Sequence, residues 1–134
     1  MQDFEAIRSH VGNLHSLHHN APYLVSFDLA LGNGRRQGIY LAEMEDENER
    51  RYLRISTPIG PLADTDPERC LRFNWEQRMG FLAVSDLDDV AWLQLCANRP
   101  YELLNATELQ RLVNELGELG DRLEAIVSGG EDAS

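Results

Sequence analysis

The chain contains no lysine: all 12 of its basic residues are arginines. That removes Schiff-base chemistry and the lysine of phosphate-binding loops, and several enzyme classes with them. Cysteine is almost as scarce. Only Cys70 and Cys96 occur, each inside an apolar or amphipathic segment, so the sequence predicts buried reduced thiols rather than a disulfide. No apolar run approaches the roughly 20 residues of a membrane span. The first residues, Met1-Gln2-Asp3-Phe4-Glu5, are acidic and lead into no apolar stretch, so the expectation is a cytoplasmic protein without a signal peptide. Positive charge is in short supply too. Against 23 acidic residues it leaves a formal charge of −11 and a pI near 4.6, a field that repels phosphate backbones and anionic lipid. Neither nucleic acid nor membrane is expected as a partner. Catalytic signatures are missing as well: there is no Gly-x-Ser-x-Gly elbow, Walker loop or dinucleotide fingerprint, and the Gly32-x-Gly34 pair falls between two predicted strands.

What the chain does have is a patterned core. Its 134 residues fit one domain, and 43% apolar content is too high for a disordered chain. The periodicity predicts one domain over residues 1–128 and a flexible acidic tail over 129–134. Phe4, Ile7, Val11, Leu14 and Leu17 recur at helical spacing, ended by Asn20-Ala21-Pro22. Strand formers over Tyr23 to Ala30 and Gln37 to Glu43 flank a glycine-bearing turn, and Tyr52 to Thr57 completes a meander. Pro58 and Pro61 are expected to stop that third strand. Thr65 or Asp66 then caps a helix that carries Cys70, Leu71, Asn74, Trp75 and Arg78 and ends at Gly80. A hairpin follows, Phe81 to Ser85 and Val90 to Cys96. Asn105 with Glu108 forms a capping box before the longest apolar stripe, Leu109 to Val127. Short connections give antiparallel pairing. The expected fold is α+β, a five-stranded antiparallel sheet with three helices in the order α-β-β-β-α-β-β-α.

Several short pieces in this order carry a family resemblance: Arg36-Gln37, Ser56-Thr57-Pro58-Ile59-Gly60, Leu71 to Asn74, Gly80-Phe81-Leu82-Ala83, the strand around Trp92, Asp121-Arg122-Leu123-Glu124 and Gly129-Gly130. From about Gln37 onward the chain resembles the YbjN-like group, whose domain is similar to the class I type III secretion chaperones. That resemblance implies a homodimeric domain used for protein binding, with no catalytic residues known for the fold to carry over. No cofactor is expected.

Several individual residues have both a functional and a structural reading. His15 and His19, at i and i+4 on a helix, could share a metal, but the Glu of a metalloprotease helix is missing and the expectation is no metal site. This helix is the basis of the alternative reading, a small-ligand or metal-responsive regulatory domain. The acidic run Glu43 to Glu49 has no Gly for a calcium loop and reads as a solvated hairpin tip. Asp86, Asp88 and Asp89 occupy a predicted turn, and Cys96 a buried strand. Asn74 is expected to make a structural hydrogen bond to an adjacent loop, because a polar residue among Leu71, Phe73 and Trp75 needs a partner if buried. Trp75 and Trp92 are candidate interface anchors, although core packing accounts for them at least as well. The expected function is a non-enzymatic protein-binding module, chaperone-like or adaptor and regulatory, acting as a homodimer.

Overall fold

The structure, a computed structural model, describes residues 1–128, without the side chains of Asn33 and Ser128. The tail expected over 129–134 lies outside the described residues. Helix α1 (Phe4–Leu14) starts at Asp3, whose carboxylate accepts a hydrogen bond from the Ala6 N–H at 2.9 Å. It buries Phe4, Ile7 and Val11. It stops earlier than the apolar spacing predicts, because His15 is extended (φ −136°) and the chain turns into a strand, β1 (Leu17–Ala21). Leu17 packs on the core from this strand, so the same apolar residue serves a different period. Pro22-Tyr23 then forms a two-residue hairpin turn into β2 (Leu24–Ala30).

The sheet therefore has six strands rather than five. β3 (Arg36–Glu45), β4 (Arg51–Pro61), β5 (Phe81–Leu87) and β6 (Val90–Pro100) complete it, all antiparallel in the order β1-β2-β3-β4-β6-β5. β4 also runs through the two prolines expected to end it. Beyond Ser56 it no longer pairs with β3, so with a single strand neighbour it tolerates missing N–H groups. A bulge between Pro58 and Gly60 absorbs the irregularity. Side chains close the gap to β3: Thr57 Oγ1 donates to the Gly38 carbonyl at 2.6 Å, and buried Gln37 donates through Nε2 to Thr57 Oγ1 at 2.8 Å.

One face of the sheet carries the core. Val25, Phe27, Ile39, Leu41, Leu53, Ile55, Leu95 and Ala97 alternate with outward residues and join the stripes of α1 and α3 in one cluster. α3 (Ala106–Ser128) is capped by Asn105, whose Oδ1 accepts the Glu108 N–H at 2.8 Å. It buries Leu109, Leu112, Val113 and Leu116, each contributing about 1.5–3 kcal/mol of burial. Its two glycines lie close against strand side chains. A Cβ on Gly117 would collide with Leu29, and one on Gly120 would lie 2.6 Å from Thr57 Cγ2. The fold is a two-layer α+β arrangement with all helices on one side.

Candidate functional site

Helix α2 (Pro67–Glu76) is held at the β5 end of the sheet. Asp66 caps it by accepting the Glu68 N–H, and Pro67 opens it. It ends at Glu76, so Arg78 and Gly80 lie in the following loop; Gly80 adopts φ +85°, with the Cys96 carbonyl 3.0 Å from where a Cβ would stand. No residue of α2 is fully buried. Cys70 and Phe73 pack on the core, and Asn74 supplies the directional attachment: Nδ2 donates to the Leu82 carbonyl at 3.1 Å while Oδ1 accepts the Leu82 N–H at 2.7 Å. Asn74 thus occupies the outer edge of β5 as a strand neighbour would, leaving one less open backbone pair on an edge strand. Its role is structural, with a strand edge as partner where a loop was expected.

With Cys70, Phe73 and Asn74 turned inward, the helical period turns Leu71 and Trp75 outward, one turn apart. Their exposures are 70% and 90%. Glu68 and Arg72 flank them in an ion pair at 2.9 Å, which keeps the stripe bordered by charge. Between α2 and the last turns of α3 opens a cleft of about 300 Å³ lined by Cys70, Phe73, Leu82, Leu93, Ile126 and Val127 among others. Trp92 is elsewhere. It is half-buried on β6, on the sheet face opposite the helices, so Trp75 and Trp92 do not form one site.

The histidines are dispersed. His15 stacks on Phe27 at 3.9 Å on the core side, where burial, with a smaller contribution from His10, lowers its pKa. A bulge in β1 puts both His18 and His19 on the other face, where His18 Nε2 meets Asp28 at 3.0 Å and His19 Nδ1 meets Ser26 Oγ at 2.6 Å. The helical i, i+4 pairing of His15 and His19 is therefore replaced by positions on opposite faces of a sheet, which cannot share an ion. Among the described residues no group of three or more His, Cys, Asp or Glu side chains could hold a metal.

Other candidates have local explanations. Asp88 and Asp89 take φ 50° and 64° in the β5–β6 turn. Asp46 accepts the N–H groups of Asn48 and Arg50 at the β3–β4 tip, which holds its carboxyl below the usual range. Cys96 is buried on β6, and that burial raises its thiol pKa. The exposure of Leu71 beside Trp75 is not evident from composition or motif; their i, i+4 spacing on the side of α2 away from Cys70 and Phe73 is the one signal of it in the sequence. No family model matches the chain, and no curated protein matches it in sequence.

Proposed function

We propose that this domain is a non-enzymatic protein-binding module, chaperone-like or adaptor, that works as a homodimer and engages its partner through α2. One observation carries the reading: Trp75 and Leu71 stand 90% and 70% exposed, one turn apart, on a helix tied to β5 by the two Asn74–Leu82 hydrogen bonds. A large aromatic held in solvent by a short helix contributes nothing to the core, whereas burial against a partner gives it the energy of an interface anchor, about 2 kcal/mol or more. The adjoining apolar cleft offers room for a partner side chain beside the stripe. The resemblance to the YbjN-like group and the secretion chaperones points the same way.

The test is a photoreactive phenylalanine analogue placed at position 75 and, as a control, at Glu47 on the exposed β3–β4 tip, followed by irradiation in native cells. A discrete adduct at position 75, lost on Leu71→Asp and absent at 47, is the expected result. Equal, diffuse labelling at the two positions would sink the assignment of α2 as the docking element.

A further inference from the structure

The sheet leaves its second face without a helix. Strand register aligns Ser26, Tyr40, Ser56, Cys96 and Phe81 in one row across β2, β3, β4, β6 and β5. Alternation sends this row away from the helices: Tyr40, Ser56 and Phe81 are partly exposed there, while Ser26 and Cys96 are already covered by their neighbours within the single chain. The surface has the character of a contact face. Tyr40, Tyr52, Trp92 and Met44 are half-buried there, interspersed with Gly38 and Ala42, so aromatic area is available on a surface low enough for close approach.

Charge singles out this face from the rest of the molecule. Of the chain's 23 acidic residues, only Asp28 occupies an outward position on strands β2 to β6, and it is paired with His18. Arg36 and Arg54 stand at outward positions on β3 and β4. Two copies of a chain with net charge −11 oppose few carboxylates here, chiefly Asp28, Asp46 at the tip and Glu124 beside Tyr40 and Trp92, whereas the helical side carries most of the acidic residues.

Area is sufficient as well. Six strands at about 4.8 Å spacing make the face about 24 Å wide. At about 3.4 Å per residue the five strands β2 to β6, of 7 to 11 residues, make it at least about 24 Å long, and β1, of 5 residues, adds a shorter margin of about 17 Å. Two such faces in contact bury roughly 1,100 Å², which reaches the area of about 1,000 Å² that a specific interface requires.

We infer that the uncovered sheet face is the homodimer interface, two copies stacking sheet on sheet about a two-fold axis. The inference rests on the homodimeric docking module proposed above. It assigns self-association to the sheet and leaves Leu71 and Trp75 of each copy free for a partner.

Light scattering coupled to size exclusion tests it on the full chain, with circular dichroism as a check on folding. The wild type and Trp75→Ala should each run at twice 15.2 kDa, and Ser56→Arg, which sets a charge at the centre of the row, at 15.2 kDa. A second readout stands if Ser56→Arg fails to fold. Trp75→Phe leaves Trp92 as the one tryptophan, and its emission should move to shorter wavelength and lose acrylamide quenching as concentration rises. A wild type that stays monomeric, or a dimer undone by Trp75→Ala while Trp92 remains quenchable, would overturn the inference. A monomer that still forms the position-75 adduct would overturn this interface and leave the docking role of α2 standing.

Discussion

Asn74 is the residue on which the placement of α2 depends, and replacing it separates attachment from packing. Asn74→Ala removes two hydrogen bonds to Leu82, at 3.1 and 2.7 Å, and frees the N–H and carbonyl of an edge strand. Each such bond contributes about 0.5–1.5 kcal/mol, and because the pair is only partly buried, water recovers some of the loss. The expected cost is about 1–2 kcal/mol, or roughly 3–8 °C in Tm for a domain of this size. Asn74→Asp should cost more at neutral pH, since it keeps the acceptor for the Leu82 N–H but turns a carboxylate on the Leu82 carbonyl. Its protonated form restores a donor, so the folded pKa of the new carboxyl is raised. The restored contribution is present below the unfolded value near 4 and is lost as pH rises through the folded one. The excess penalty over Asn74→Ala should accordingly shrink in acid. Urea unfolding gives the stability, and hydrogen exchange at the Leu82 amide gives the local effect. Stability within about 0.5 kcal/mol of wild type and unchanged exchange at Leu82 would refute the account of how α2 is held.

Four further outcomes follow from the geometry. Gly120→Ala gains about 1 kcal/mol of helix propensity but sets a methyl 2.6 Å from Thr57 Cγ2, whose side chain is fixed by its bond to the Gly38 carbonyl; overpacking of about 1–3 kcal/mol should win, lowering the urea midpoint. His15 is stabilised neutral by burial against Phe27, so its contribution is present above pH 6.5 and is lost as pH falls through its lowered folded value; His15→Phe should flatten that part of the stability profile between pH 7.5 and 5. Trp75→Ala should leave the unfolding free energy from urea titration within about 0.5 kcal/mol of wild type, because the side chain is 90% exposed, while abolishing partner adducts formed from a photoreactive group at Leu71. Cys96, buried and with a raised thiol pKa, should resist alkylation at neutral pH until the chain unfolds.

Where one local signal dominates, the sequence is readable. α3 has a capping Asn105 and a long apolar stripe, and the hairpins of β2–β3 and β5–β6 carry turn residues between alternating strands. β1 was hidden because Leu14 and Leu17 are spaced three apart, a separation that a helix and a helix end followed by an inward strand residue both satisfy. The prolines of β4 mislead for another reason: whether a strand has one neighbour or two is a tertiary fact, and Pro58 is acceptable only because β3 pairing stops at Ser56. Asn74 was readable as a residue needing a partner, yet its partner, the open edge at Leu82, exists only once α2 lies beside β5. The uncovered sheet face is legible as alternation in β3, with Ile39 and Leu41 opposite Tyr40 and Ala42, but alternation alone does not say which side the helices choose.

The docking role of α2 is tested most directly by oxidative footprinting of Trp75, comparing the purified chain with the chain inside intact cells. Rapid oxidation in the purified protein and strong protection in cells is the predicted result. Equal oxidation in both would contradict it.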